Sequence, residues 1–176
     1  MNLIKTDLPG VILIKLEKFK DTRGYFFESF QKKRYLDAGI NPEFVQDNIS
    51  VSNYGVIRGL HYQTKRPQGK LVSCLKGKVF DVVADINPSS TSFGKYIGIE
   101  LSEKNSLQLW IPPGYAHGFC SLSDEAYFHY KCTEFYDPSS ERGVLWNDST
   151  LNINWPVDSP IVSAKDQILP ELNEQS

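Results

Sequence analysis

Residues 58–63 read Arg58-Gly59-Leu60-His61-Tyr62-Gln63. The β-type residues around His61 give a strand, in which successive side chains point to opposite faces. His61 then shares a face with Gly59 and Gln63, while Arg58 alternates with it. If both charged-type side chains serve one site, Gly59 marks a bulge that re-aims one of them. Outward from this stretch to Tyr136, runs of five to eleven residues are cut by turn signals. These include Asn53-Tyr54-Gly55, Lys76-Gly77, Asn87-Pro88-Ser89-Ser90, Ser102-Glu103-Lys104-Asn105, Pro112-Pro113-Gly114 and Ser123-Asp124-Glu125. Strands at that spacing with Gly, Pro and Asn punctuation predict an all-β sandwich or barrel.

Upstream, Val11 to Leu16 is a β-branched run that reads as a strand, apolar on both alternating sets and therefore an edge in need of cover. Asp21 to Glu28 reads as a turn leading into an aromatic strand. Gln31 to Ala38 is the one convincing short helix, closed by Gly39 and Pro42. The tail after Trp155-Pro156 holds at most one helical turn, with residues 173–176 frayed. The 176 residues fit a single domain, 1–176, with no repeat, linker or low-complexity segment. A net charge of −2 offers no basic field for nucleic acid. Cys74, Cys120 and Cys132 lie far apart inside apolar strands, as reduced thiols of a cytoplasmic protein do. Val11 to Leu16 is too short and too charged to be a signal segment or a membrane span.

Three histidines, His61, His117 and His129, carry most of the chemistry open to this chain. Imidazole takes and returns a proton near neutrality, its ordinary pKa being ~6.5. A strand histidine in a β-barrel raises the question of a metal. Here His61-Tyr62-Gln63 sets an amide where a His-x-His pair would set a second imidazole, which leaves a poor zinc or iron shell. Without metal, His61 reads either as a general base or as a satisfied core histidine. Arg58 and Lys70 each abut a glycine, which suits close approach of an anionic ligand, though both also read as surface charges. Tyr130 reads as plain core, Arg23 and Glu28 as a solvated hairpin, and Gln46-Asp47-Asn48 as a polar turn. Along Ala126 to Tyr136, Tyr130 and Tyr136 share one face and His129 points away from both.

Read together, these stretches resemble the dTDP-4-dehydrorhamnose 3,5-epimerase family. The likeness is carried by Asp21-x-Arg23-Gly24-x-Phe26-x-Glu28, Gln46-Asp47-Asn48-x-Ser50, Arg58 to Gln63, Lys70-Leu71-Val72, Pro112 to Phe119, Tyr130 to Tyr136 and Ser163-Ala164-Lys165-Asp166. It runs nearly the whole chain, in order. The resemblance implies a cupin-type jelly-roll barrel with one or two short helices, a homodimer, and no metal or organic cofactor. It also implies a dTDP-linked 4-keto-6-deoxy sugar as substrate, inverted at C3 and C5. By position, His61 matches the family's base, Asp166 the carboxylate that orients it, Tyr130 the acid on the opposite sugar face, and Lys70 the cation near the C4 oxygen. Arg23, Glu28, Gln46, Asp47, Asn48, Arg58, His117, Tyr136, Glu141 and Lys165 match the stretches that line the nucleotide-sugar site.

The residue types suit that chemistry. Hydrogens at C3 and C5 flank a C4 carbonyl, so removal of either places charge on the same oxygen, where a fixed ammonium stabilises it. Inversion needs removal from one face and return from the other, hence two groups on opposite sides. A related ketoisomerase, a single-centre epimerase and a non-catalytic sugar-binding cupin remain alternatives at the level of sequence.

Overall fold

The computed structural model describes residues 1–40 and 43–174; Pro42, read above as a helix stop, and the last two tail residues lie outside them. In chain order the strands are β1 (Asn2–Lys5), β2 (Ile12–Lys15), β3 (Phe19–Asp21), β4 (Gly24–Phe26), β5 (Gln46–Ser52), β6 (Val56–Gln63) and β7 (Lys70–Lys76). They continue with β8 (Lys78–Asp85), β9 (Tyr96–Ser102), β10 (Leu107–Ile111), β11 (Tyr115–Ser121), β12 (Ala126–Cys132), β13 (Glu141–Gly143) and β14 (Ile161–Val162). One helix, α1 (Lys32–Asp37), sits between β4 and β5, and 3-10 turns follow at Asp166–Ile168 and Leu172–Glu174.

One six-stranded sheet runs β1-β2-β10-β7-β12-β5; a second runs β13-β6-β11-β8-β9, with β14 added parallel to β6. Inward-facing apolar side chains of both sheets meet in one core: Val72 and Leu109 from the first, Val79, Val83 and Phe119 from the second, with Phe128 between. Alternation supplies this directly, since Val79 and Val83 face in while Phe80, Val82 and Ala84 face out. The result is the expected all-β jelly roll, its two sheets facing each other without closing into a hydrogen-bonded barrel.

Both outer faces are covered in part. On the first sheet, α1 and its flanks lay Tyr35, Ile40, Phe27, Phe30 and Phe44 over Ile14, Leu71 and Trp110. Gln31 caps the helix, its side chain accepting from the Arg34 N–H at 2.6 Å, and Gly39 ends it at φ +80°. On the second sheet, the segment from Val144 to Leu172 lays Val144, Leu151, Ile153 and Leu172 over Leu60, Val82 and Ala116. That packing carries the chain back to β6 and is what delivers residues 161–166 to the site.

Three expectations need correction. The run from Val11 is not an edge: β2 lies between β1 and β10, because residues 2–5 form a further strand. The strand carrying Tyr130 ends at Cys132, so Tyr136 lies in the following loop. Asn173 and Glu174 belong to a 3-10 turn, and Asn173 Nδ2 donates to Thr150 Oγ1 at 2.8 Å. Among the described residues, no helix is long and apolar enough to cross a membrane.

Candidate active site

The site forms where β6 and β11 of one sheet face β7 and β12 of the other. A cavity of about 510 Å³ is lined there by Arg58, His61, Lys70, His117 and Tyr130, with Phe119 and Phe128 as an apolar wall. A second lobe of about 310 Å³ shares His61, Lys70 and Tyr130 and adds Gln46, Asn48, Tyr136 and Glu141.

The bulge expected at Gly59 is present. Against β11, His61 pairs with His117 but Arg58 pairs with Phe119, so three steps on β6 match two on its partner. Gly59 has φ +114° and follows onto Leu60 through a cis peptide. A β-carbon there would lie 2.7 Å from both Gly118 Cα and His117 O, which only glycine avoids. The slip brings Arg58 and His61 to the same cavity although strict alternation would separate them. Arg58 is held by Ser52 Oγ at 3.0 Å and the Val51 carbonyl at 3.2 Å.

His61 is clamped from behind. Its Nε2 lies 2.7 Å from Asp166 Oδ1, while Asp166 Oδ2 accepts the Gly59 N–H at 3.2 Å and Ser163 Oγ accepts the Asp166 N–H at 3.1 Å. Burial works to raise the Asp166 carboxyl, but His61, the Gly59 N–H and Ser163 together hold it below the usual carboxylate range. With Nε2 committed to the carboxylate, Nδ1 is the ring nitrogen left for chemistry in the cavity. Tyr130, on the facing sheet, has its phenol pushed up by burial, so it keeps its proton across the neutral range. Burial pulls the Lys70 ammonium down, against the neighbouring Cys132, Asp81 and Glu141. An imidazole on one sheet, a phenol on the other and an ammonium between can take a proton from one side of a ligand and return one from the other.

His117 lines the same cavity but is sequestered: its Nε2 lies 2.9 Å from Asp81 Oδ2, and burial holds its pKa down. At the second lobe, Glu141 Oε2 accepts from Tyr136 OH at 2.7 Å and from Lys165 Nζ at 2.5 Å. Burial opposes ionisation of Glu141, yet Lys165 and Tyr136 hold its pKa below the usual range. Gln46 and Asn48 point inward as neighbours two apart on β5, joined at 3.0 Å.

Three of the residues expected at the site are not brought to this cavity within one chain, and one neighbour has a different job. Asp47 alternates with Gln46 and Asn48, so it faces outward and pairs with Lys131 at 2.8 Å. Arg23 lies on the β3–β4 hairpin, bound to Asp21 at 2.6 Å, beside exposed Phe19, Tyr25 and Phe26. Glu28 follows the same hairpin and meets Arg34 at 3.4 Å. Gln63, considered above as a metal-shell amide, clamps a loop instead, donating to the Arg66 and Phe135 carbonyls and accepting from the Asp137 N–H. Reasoning from the sequence misses Asp81 and Ser163. Asp81 carries a readable signal, a carboxylate alternating with Val79 and Val83 on the inner face of a strand.

Fold and site together define an isomerase that acts on a nucleotide sugar. A family model described as dTDP-4-dehydrorhamnose 3,5-epimerase matches residues 5–174. A dTDP-4-dehydrorhamnose 3,5-epimerase of Shigella flexneri is 55% identical over 168 residues, covering 94% of this chain and 93% of that one. The crystal structure of the Legionella pneumophila dTDP-6-deoxy-D-glucose-3,5-epimerase, in complex with dTDP-4-keto-L-rhamnose, superposes with a TM-score of 0.96 at 47% identity, covering 99% of this chain and 94% of that one. A dTDP-4-dehydrorhamnose 3-epimerase of Streptomyces niveus is 38% identical, covering 95% and 82% of the two chains. The chain belongs to the dTDP-4-dehydrorhamnose 3,5-epimerase family.

Proposed function

We propose that this protein converts dTDP-4-dehydro-6-deoxy-D-glucose to dTDP-4-dehydro-6-deoxy-L-mannose, inverting C3 and C5 by proton transfer. The observation that carries the reading is the carboxylate-held His61 facing Tyr130 across a cavity that also holds Lys70. His61 Nδ1 removes the proton α to the C4 carbonyl, and Asp166 stabilises the imidazolium that forms. The enolate charge collects on the C4 oxygen, where Lys70 compensates it in a site of low dielectric. Tyr130 returns a proton from the opposite sheet, which inverts the centre. Arg58 suits the diphosphate as a fork of donors, and Gln46, Asn48, Tyr136, Glu141 and Lys165 suit the remainder of the nucleotide. His117 closes the back of the cavity beside His61.

Arg23 and Glu28 also match family binding positions, yet in one chain they stand on the outer hairpin. A second copy supplies them in this reading, and the protein acts as a homodimer. Support comes from the exposed apolar face of Ile49, Val51 and Leu75 beside the edge strand β5, and from Phe19 and Phe26 exposed on the hairpin. A monomeric mass by light scattering at micromolar concentration would contradict it. The three free, buried cysteines agree with a cytoplasmic setting.

The test is proton NMR of dTDP-4-dehydro-6-deoxyglucose with the protein in D2O, following C3 and C5 separately. Exchange with inversion at both centres is expected. Exchange confined to C3 would place the protein with single-centre enzymes such as its Streptomyces niveus relative, and no exchange at either centre would refute catalysis.

A further inference from the structure

Resting on that reading, one buried carboxylate in the site has no assigned work. Asp81 lies on β8, fully buried on the inner face, and spends Oδ2 on His117. Its other oxygen, Oδ1, has no hydrogen-bond partner among the described residues. A buried carboxylate oxygen left unsatisfied is costly, so it calls for a compensating positive charge nearby. His117 does not supply one, since burial favours its neutral form. The cation facing Asp81 is Lys70, whose ammonium makes no direct ion pair among the described residues.

The groups around Lys70 come from five strands: His61 on β6, Asp81 on β8, His117 on β11, Tyr130 and Cys132 on β12, and Glu141 on β13. Of the two carboxylates, Glu141 is already bound to Lys165 and Tyr136. Asp81 is the one of the two with a fully buried oxygen that lacks a hydrogen-bond partner among the described residues. We propose that Asp81 is a positioning residue for Lys70, the counter-charge that keeps its ammonium protonated and fixed at the C4 oxygen. On this view Asp81 acts on the cation of the site as Asp166 acts on its base.

The experiment reads Lys70 directly, by NMR titration of the protein with labelled lysine side chains, Lys70 being assigned through Lys70→Arg. It needs no substrate, so it stands apart from the outcome of the epimerase assay. Asp81→Asn keeps the size of the side chain and removes its charge. The Lys70 titration should move to lower pH by about one to three units, the shift an opposite charge commonly makes. The alkaline limb of kcat/KM should move with it, while binding of dTDP stays within about threefold. His117→Asn leaves the carboxylate in place, so the Lys70 titration should stay where it is or rise. A well-folded Asp81→Asn protein with unmoved Lys70 titration would overturn the proposal. Should Asp81→Asn fail to fold, a fall of the Lys70 titration in His117→Asn would overturn it equally, because the imidazole and not the carboxylate would then hold the charge.

Discussion

Replacing Asp166 by Asn keeps the shape of the clamp and should still cripple the base. The geometry gives two arrangements of the amide. If its oxygen keeps the Gly59 N–H bond, now 3.2 Å to Oδ2, its NH2 points at His61 Nε2 and donates. The imidazole must then accept at Nε2 and carry its proton on Nδ1, the nitrogen that has to be free to abstract. If the amide flips, its oxygen accepts from Nε2–H, but its NH2 faces the Gly59 N–H, donor against donor. The flipped arrangement loses one buried hydrogen bond of about 1–3 kcal/mol, whereas the first keeps both bonds but removes the reactive tautomer. Each ~1.4 kcal/mol is tenfold in rate, and a wrong tautomer in a comparable His–Asp pair costs about 10⁴ in kcat. The exchange rate at C3 and C5 in D2O should therefore fall between about 10² and 10⁴-fold, with dTDP binding little changed. An Asp166→Asn protein that keeps more than a tenth of the wild-type exchange rate would refute the role of the clamp.

Tyr130→Phe removes only the phenolic hydroxyl, so the fold should hold while inversion falls by ~10²–10⁴-fold. Solvent exchange on the His61 side should persist, whereas His61→Asn should abolish both; NMR in D2O separates the two. Gly59→Ala forces a β-carbon within 2.7 Å of Gly118 Cα at φ +114° and should lower the melting temperature by more than about 5 °C while abolishing activity. Because burial lowers the pKa of His117, protonation favours the unfolded chain. That contribution to stability is complete above the unfolded value of ~6.5 and is lost as pH falls toward the folded one. Thermal denaturation across pH 7 to 5 should show the decline, and His117→Asn should blunt it.

The alternation of side chains is enough to place most of the site from sequence. It sets Tyr130 inward and His129 outward on β12, and it points to a slip at Gly59 because Arg58 and His61 have to share a cavity. The same rule applied to Gln46-Asp47-Asn48 turns Asp47 away, but only once that stretch is known to be a strand, and its composition reads as a turn. The β1 strand escapes notice because Asn2-Leu3-Ile4-Lys5 is short and exposed on both faces, with no periodic pattern to read. Arg23 and Glu28 show a different limit: a sequence match says which side chains accompany a chemistry, not which copy of the chain presents them.

The parallel pairing of β14 with β6 has a consequence for how the protein becomes an enzyme. His61 and Asp166 are 105 residues apart, and the last segment must cross the outer face of a finished sheet before the carboxylate reaches the imidazole. During synthesis the strands that hold His61, Lys70 and Tyr130 emerge well before that segment exists. A nascent chain stalled before residue 161 would own a pocket but an idle base, so competence arrives with the final turn of the fold. In the proposed mechanism activity is thus a readout of that last crossing: a protein cut between Trp155 and Ser163 lacks Asp166, and with it the contact that orients His61.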